Sequence, residues 1–296
     1  MAAAGASGSD LLIVGPGVLG SYAGKLWLES HPGATVVAQT NSDASHERLR
    51  KMGLTPRTRA EAADGRKFPY VLFAAPPSGS DDYPAEVAAA TALWDGSGSF
   101  VFTSSMSVCA AEDGSEVSED RCPLVPEGKA PGTDRLLGAE RAALSAGGNV
   151  LRLVGLYHAQ RGPHTFFIRQ GEVARYGGYT VNMLHYEDAA GLAAAVLRGD
   201  GAPAADGGAY RGRVFVGADG HPLTFDDMVA ACFESGLFAG SVKFTAPPPE
   251  GGVGLGKRVR NDVTRRQLGW APKYASFREF FIAHRGADFY TTSGLF

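Results

Sequence analysis

A glycine-rich turn near the start of the chain carries the clearest chemical pattern. Three glycines, Gly15, Gly17 and Gly20, follow the apolar run 11–14 and precede a helical segment. In this spacing the first glycine permits a tight turn, the second lets a diphosphate approach the backbone, and the third lets helix and strand pack closely. The N–H groups of the first helical turn would face the same diphosphate. The pattern predicts a nicotinamide dinucleotide site, with contacts from Gly15, Gly17, Val18, Leu19 and Gly20.

The residues after the second predicted strand, 35–38, bear on the choice of cofactor. An acid about 20 positions after the glycines would bind the ribose 2′-hydroxyl and repel a 2′-phosphate. Here polar uncharged residues come first, and the first acid is Asp43. Thr40 and Asn41, with Arg48 on the next predicted helix, favour NADP, and NAD is the alternative. In the alternative interpretation Asp43 belongs to a helix cap and Arg48 is solvated.

Short apolar runs alternate with helical segments through the first half of the chain. The predicted strands are 11–14, 35–38, 70–75, 100–104 and 149–154, and the predicted helices are 18–30, 42–51, 85–94 and 134–145. This alternation predicts an α/β fold with a doubly wound parallel sheet, a Rossmann fold. Ligands bind outside the carboxyl ends of such strands. We therefore expect Ala74, Ala75, Pro76 and Ser104 to line the cofactor crevice.

The regular alternation loosens after Gly155, where glycine, proline and aromatic residues become frequent. A helix is predicted over 186–198, a late strand over 213–216, and a further helix from the capping residue Thr224. The predicted parts of the chain are a flexible head at 1–10, a Rossmann core at 11–155, and a smaller substrate lobe at 156–296 interleaved with the last core strands and helices.

Composition excludes several classes of partner. The 296 residues carry a net charge of −3, which gives no electrostatic reason to expect nucleic acid or an anionic membrane. No apolar run reaches the roughly 20 residues that a membrane-spanning helix needs. Cys109, Cys122 and Cys232 match no zinc spacing, so neither a metal site nor a disulfide framework is predicted. These features indicate a reducing compartment, the cytoplasm or, for a trimmed precursor, an organelle stroma.

Several further segments share a pattern that spans nearly the whole chain: 100–108, 150–157, 182–190, 261–262 and 268–272. Together with the glycine turn they resemble the short-chain dehydrogenase/reductases, in the extended and atypical branches that include nucleoside-diphosphate-sugar epimerases. The resemblance implies that the hydroxyl of Ser105 contacts substrate, with Ser104 as its neighbour. It also implies that the loop carrying Tyr157 lines the nicotinamide side. Pairing into a homodimer through helices beside the fifth strand is consistent with the same resemblance.

Two departures from that family concern the glycine turn and the proton-transfer residues. The turn reads GxGxxG, as in atypical members, where extended members have GxxGxxG. The Tyr-x-x-x-Lys pair is missing, since Gly132 and Leu136 stand at the expected positions. In the family the lysine lowers the pKa of the tyrosine, which then moves a proton while hydride moves at the nicotinamide. The sequence thus predicts cofactor binding more strongly than turnover.

Replacements for the missing proton donor can be named, each with a structural alternative. Tyr157 and Tyr186 also fit packed aromatic residues, and His158 an exposed loop residue. Cys109 also fits a small apolar filler. The basic residues Lys257, Arg258, Arg260, Arg265 and Arg266 could clamp substrate phosphates or form a solvated face.

The leading hypothesis is an atypical short-chain dehydrogenase/reductase that binds NADP(H) and acts on a small or sugar-like carbonyl or hydroxyl substrate. A second hypothesis is a cofactor-binding sensor or scaffold without turnover, which the missing pair favours. A third is a sugar-nucleotide epimerase or dehydratase that uses bound cofactor transiently.

Overall fold

The computed structural model describes residues 8–62, 65–203 and 208–296; residues 1–7 of the predicted head lie outside the described residues. The strands are β1 (Leu11–Val14), β2 (Val36–Thr40), β3 (Thr55–Thr58), β4 (Tyr70–Phe73), β5 (Phe100–Ser105), β6 (Asp113–Val117), β7 (Asn149–Leu153), β8 (Gly155–Tyr157), β9 (Glu172–Val173), β10 (Thr180–Val181), β11 (Met183–His185), β12 (Val214–Gly217), β13 (Leu223–Thr224), β14 (Lys243–Phe244) and β15 (Gly256–Val259). The helices are α1 (Val18–Ser30), α2 (His46–Lys51), α3 (Tyr83–Thr91), α4 (Pro131–Ser145), α5 (Pro163–Gln170), α6 (Tyr186–Arg198), α7 (Phe225–Glu234), α8 (Asp262–Leu268), α9 (Phe277–Ile282) and α10 (Phe289–Thr292).

The central sheet has seven strands in the order β3-β2-β1-β4-β5-β7-β12, and every neighbouring pair is parallel. Successive side chains of β1 point to opposite faces. Leu11 and Ile13 pack with α1 and α6, whereas Leu12 packs with α3 and α4. Helices thus cover both faces, and the predicted doubly wound parallel sheet is confirmed.

A second, smaller sheet has the order β13-β10-β15-β6. Its strand β6 comes from the middle of the predicted Rossmann core, and it pairs in parallel with β15. In the other direction, β12 lies in the predicted substrate lobe by sequence but completes the central sheet beside β7. A separate aromatic cluster is built mainly from residues after β7, and its fully buried aromatic members are Tyr157, Tyr274, Phe277, Phe280 and Phe281.

Helix and strand boundaries agree with prediction where local signals are strong. Helices α1 and α6 have the predicted bounds, and α7 begins after a capping box formed by Thr224 and Asp227. Helix α2 begins at His46, later than predicted, because the preceding polar residues form a turn. No helix among the described residues combines the length and the apolarity that crossing a bilayer requires.

Candidate functional site

The glycine turn between β1 and α1 has the geometry that close approach of a ligand requires. Gly15 has φ +75°, and a Cβ added there would lie 2.4 Å from the Ala75 Cα. A Cβ on Gly20 would lie 3.0 Å from the Ile13 Cγ2, so α1 packs tightly on β1. A Cβ on Gly17 would meet nothing within 4 Å. Of the three glycines, Gly17 is therefore the one whose backbone faces open space.

That open space is a cavity of about 620 Å³, which we call the cofactor cavity. Helix α1 starts at its edge with Gly17 as N-cap and no capping side chain. The first N–H groups of a helix have no partner within the helix, and the helix dipole places positive charge there. The cavity can therefore receive a diphosphate beside the start of α1.

The predicted cofactor-binding residues divide into two groups by position. Those that line the cofactor cavity are Gly15, Gly17, Thr40, Asn41, Arg48, Ala75 and Pro76. The others, Val18, Leu19, Gly20, Ala74 and Ser104, do not line it. Leu19 is buried against the sheet, and the Ser104 hydroxyl is engaged elsewhere, as described below.

The end of the cofactor cavity next to Thr40, Asn41 and Arg48, which we call the ribose end, is polar and cationic. Thr40 Oγ1 lies 2.8 Å from His46 Nε2, and Arg48 Nη1 donates to Ser21 Oγ at 3.2 Å. Arg59, which follows β3, also lines the cavity, and sequence reasoning missed it because β3 itself was not predicted. Among the described lining residues the acid is Glu86, already paired with Arg59 at 3.1 Å.

Asp43, the first acid after β2, does not line the cofactor cavity but borders a separate surface hollow. No carboxylate among the described lining residues follows β2 directly. The arrangement therefore lacks the group that would repel a 2′-phosphate.

A second cavity of about 310 Å³, the substrate cavity, opens at the carboxyl ends of β5 and β7. Apolar residues such as Met106, Leu153 and Val181 form much of its lining. Its hydroxyl-bearing and charged lining residues are Ser105, Ser107, Glu112, Tyr179, Thr180 and Lys257. Ser105 Oγ accepts from the Ser107 N–H at 3.1 Å, so the hydroxyl hydrogen can still be donated.

Lys257, Glu112 and Tyr179 form a hydrogen-bonded cluster at this cavity. Lys257 Nζ donates to the Cys109 carbonyl oxygen at 2.6 Å and lies 3.4 Å from Glu112 Oε1. The Tyr179 hydroxyl donates to Glu112 Oε2 at 2.8 Å. Burial, together with this bond to a carboxylate, raises the pKa of Tyr179 to about 12, so the phenol keeps its proton at neutral pH.

Comparison with known proteins identifies solved structures with a similar fold. No family model and no curated protein sequence matches the chain. Among solved structures, a conserved protein of unknown function from Silicibacter pomeroyi DSS matches with TM-score 0.70 at 23% identity, covering 93% of this chain and 97% of that one. A UDP-glucuronic acid 4-epimerase from Bacillus cereus, solved with UDP-glucuronic acid and NAD, matches with TM-score 0.69 at 16% identity, covering 91% and 96%. A UDP-glucose 4-epimerase from Thermotoga maritima, solved with UDP-glucose, matches with TM-score 0.67 at 15% identity, covering 93% and 99%.

The chain shares the fold of these two UDP-sugar 4-epimerases. At these identities the likeness establishes architecture. The predicted resemblance to epimerase-like members is therefore confirmed at the level of the fold.

The helix in which the predicted resemblance places a Tyr-x-x-x-Lys pair is α4, and its side chains differ from that pair. Gly132 is exposed and Leu136 packs against the core. One turn further, Glu140 accepts hydrogen bonds from Ser104 Oγ at 2.6 Å and from Arg152 Nε at 2.9 Å. This network is buried and satisfies Ser104 inside the protein, so Ser104 is not presented to a ligand.

Three of the residues named as replacement proton donors, Tyr157, His158 and Tyr186, do not line the substrate cavity. Tyr157 is fully buried among aromatic rings, and burial raises the pKa of its phenol well above its ordinary value. His158 is buried and stacks on Tyr290 with ring centroids 4.9 Å apart, so its interpretation as an exposed loop residue is wrong. Tyr186 accepts a hydrogen bond from Arg161 Nε at 3.1 Å. Of the two predicted catalytic residues, Ser105 lines the substrate cavity and Tyr157 does not.

The basic residues of the C-terminal region make contacts in different places. Lys257 lines the substrate cavity. Arg260 pairs with Asp262 at 3.2 Å, and Arg265 donates to the Asp219 carbonyl oxygen at 2.7 Å. The positions do not converge into one clamp for a diphosphate.

Proposed function

We propose that the chain is an NADP(H)-dependent oxidoreductase of the atypical short-chain dehydrogenase/reductase type that acts on a small or sugar-like carbonyl or hydroxyl substrate. The proposal rests on the placement of two cavities along the carboxyl edge of one parallel sheet. The cofactor cavity contains the open backbone at Gly17, and the substrate cavity contains the Ser105 hydroxyl. Ligand sites in open α/β sheets lie at this edge.

The cations at the ribose end support NADP over NAD. Arg48 lines the cofactor cavity and donates to the Ser21 hydroxyl, and the strand end before it offers Thr40 and Asn41. Arg59 also lines the cavity, and because its side chain is 58% exposed a phosphate can replace its partner Glu86. Arginine suits a phosphate because its planar guanidinium donates two parallel hydrogen bonds.

The chain's own residues can supply binding and proton transfer for such a reaction. Bound reduced cofactor supplies a hydride to a carbonyl carbon. Ser105 donates a hydrogen bond to the carbonyl oxygen, and Lys257 gives that oxygen its proton. Glu112, whose side chain is 40% exposed, returns a proton from solvent to Lys257. Tyr179 fixes the Glu112 carboxylate and stays protonated.

The lining of the substrate cavity favours a small carbonyl over a sugar nucleotide. Among its described lining residues the cation is Lys257, which is already paired with Glu112. A nucleoside diphosphate brings at least two negative charges and is bound by arginine or lysine groups free to face it.

Cofactor titration tests the first part of the proposal. Purified protein is titrated with NADPH and NADH by calorimetry, using the wild type, Arg48→Met, Arg59→Met and the control Arg278→Met, whose side chain pairs with Glu234 far from the cavity. We expect each cavity variant to weaken NADPH binding about tenfold, the loss of one charge-assisted contact. NADH binding and the control should be unchanged. Equal affinity of the wild type for both cofactors would remove the NADP assignment.

A turnover assay distinguishes the proposed reaction from the two alternative functions. With NADPH and a panel of small ketones and aldehydes, Ser105→Ala and Lys257→Met should lower kcat while leaving NADPH affinity intact. NADPH binding without turnover of any carbonyl compound would favour a sensor or scaffold. Interconversion of UDP-sugars, with cofactor retained through purification, would favour the epimerase.

A further inference from the structure

Two cysteines meet beside the substrate cavity, on two passes of the chain that run side by side. Cys109 forms an antiparallel bridge with Leu124, and the Ala110 N–H donates to the Pro123 carbonyl oxygen at 2.7 Å. This pairing brings Cys122 against Cys109 in one small apolar cluster. The side chains of Cys109 and Cys122 lie on the same face of this pairing, because Cys122 is two residues from Leu124, the residue opposite Cys109.

We propose that Cys109 and Cys122 form a reversible intramolecular disulfide, a redox modification site next to the substrate cavity. The proposal does not depend on the proposed reaction, because it concerns these two side chains in the protein without cofactor or substrate.

The charges around the two sulfur atoms favour a thiolate. Arg152 Nη1 lies 3.6 Å from Cys122 Sγ, and the Lys257 ammonium is bound to the Cys109 carbonyl oxygen. Cations and hydrogen-bond donors stabilise a thiolate, which is the species that attacks a disulfide. The hydrogen bond from Cys122 outweighs burial and lowers the pKa of Cys109 to about 6.

Access to the pair comes from the Cys122 side. Cys109 is only 2% exposed, but Cys122 is partly exposed and borders a surface hollow of about 440 Å³. A small disulfide such as oxidised glutathione can therefore reach Cys122 first.

The exchange balances with such a disulfide as the oxidant. The ionised pair holds one proton, mostly on Cys122. In the less populated form that proton lies on Cys109, and the Cys122 thiolate, beside the Arg152 guanidinium, attacks one sulfur of the small disulfide, releasing one thiolate and forming a mixed disulfide. The Cys109 thiol then loses its proton to solvent, and its thiolate attacks Cys122 Sγ and releases the second small thiolate. The two cysteines lose two electrons and two protons, and the small disulfide becomes two thiols.

Cys232 provides an internal control. It lies on α7 with no exposed surface, and burial alone raises the pKa of its thiol to about 12. A thiol in this state neither ionises at neutral pH nor meets an oxidant while the protein is folded.

The test is native oxidation followed by trapping. Fully reduced protein is incubated with oxidised glutathione, alkylated after unfolding in N-ethylmaleimide, and analysed by intact mass and peptide mapping. We expect wild type to retain one alkylatable thiol, Cys232, with a Cys109–Cys122 peptide that dithiothreitol separates. Cys109→Ser should stop at a glutathione adduct on Cys122. Cys122→Ser should keep both remaining thiols free.

Three outcomes would overturn the proposal. They are three free thiols in oxidised wild type, a stable glutathione adduct on wild-type Cys122 that never resolves, and a disulfide that includes Cys232. Circular dichroism of each serine variant checks that the fold is retained, so that unfolding does not expose the thiols. The wild-type result stands alone if one of the variants fails to fold.

Discussion

Gly15 and Gly17 sit in the same turn but under different constraints. At Gly15 the backbone has a positive φ and an added Cβ would strike Ala75. At Gly17 the backbone is open, φ is −56°, and the residue borders the cofactor cavity. The first glycine is required by the fold, and the second is required only by whatever enters the cavity.

Substitution by alanine should separate these two requirements. We expect Gly17→Ala to lower NADPH affinity at least tenfold, since its methyl group occupies the path of the diphosphate, with an unchanged unfolding midpoint. Gly15→Ala should instead lower the free energy of unfolding by about 2 kcal/mol or more through strain and overpacking. Calorimetry and urea unfolding measure the two effects. Equal loss of stability in both variants would contradict this division.

Tyr157 offers a second test at the level of one atom. Its buried hydroxyl has no hydrogen-bond partner within the described part of the chain. Removing an unsatisfied polar group costs nothing and can stabilise a protein. Tyr157→Phe should therefore leave the free energy of unfolding unchanged or raise it by about 1 kcal/mol. A drop in turnover without a change in stability would return Tyr157 to the list of proton donors.

Among the elements, α4 is joined to β5 and β7 by one buried ion pair. Glu140 Oε2 accepts from Arg152 Nη2 at 2.7 Å, and Oε1 accepts from Ser104 on the neighbouring strand. The side chains of the pair are only 4% and 10% exposed. An isolated charge at this depth is costly, so each partner depends on the other.

We expect Glu140→Gln to lower the free energy of unfolding by about 3 kcal/mol or more, because Arg152 is left buried without a counter-charge. Glu127→Gln, an exposed change just before α4, should have no measurable effect. The double variant Glu140→Leu with Arg152→Met should be more stable than Glu140→Gln. Urea unfolding of all three measures this, and additive losses in the double variant would show that the pair is not coupled.

The elements that could be predicted from the sequence are those with a local hydrophobic pattern or local start and stop signals. Strands β1 and β4 are continuous apolar runs, and β5 and β7 each contain a shorter one. Helices α1 and α6 have clear start and stop signals. Strand β3 contains Pro56, and β6 reads Asp-Gly-Ser-Glu-Val, so neither has a strand pattern. Both strands lie at a sheet edge, where pairing with one neighbour is enough.

The candidate site was predictable to a similar extent. The glycine turn carries its own signal, because each glycine has a local reason to be there. Arg59 follows the unpredicted strand β3, and Lys257, Glu112 and Tyr179 meet only after β6 and β15 pair. Contacts between residues so far apart in the chain depend on tertiary packing, and a short sequence segment does not reveal them.

At the scale of the whole molecule, two buried carboxyl groups hold the C-terminal segment to the rest. Asp188 accepts from the Lys273 N–H at 2.6 Å, and Asp219 accepts from the Phe277 N–H at 3.2 Å. Burial raises the pKa of each to about 7. The folded protein therefore binds more protons at these groups than the unfolded chain does between about pH 4 and pH 7.

This difference fixes the sign of a pH dependence. The contribution of Asp188 to stability is fully present below the unfolded pKa of about 4 and is lost as the pH rises through about 7. Relative to Asp188→Asn, wild type should thus lose about 2 kcal/mol between pH 5 and pH 8. Urea unfolding of both proteins at each pH gives the difference between their free energies of unfolding. The buried histidines are present in both proteins, so their opposing effect cancels in this difference. A constant difference would mean that Asp188 is ionised throughout.

The insertion of β6 into the second sheet has a consequence for synthesis on the ribosome. Every described residue that lines the cofactor cavity lies between Val14 and Leu93, so all of these residues have been synthesised before β6. The substrate cavity needs Lys257 and Val259 and therefore waits until β15 has been translated. During that interval β6 lacks the strand it pairs with. The nascent chain thus contains every described residue of the first cavity long before it can complete the second.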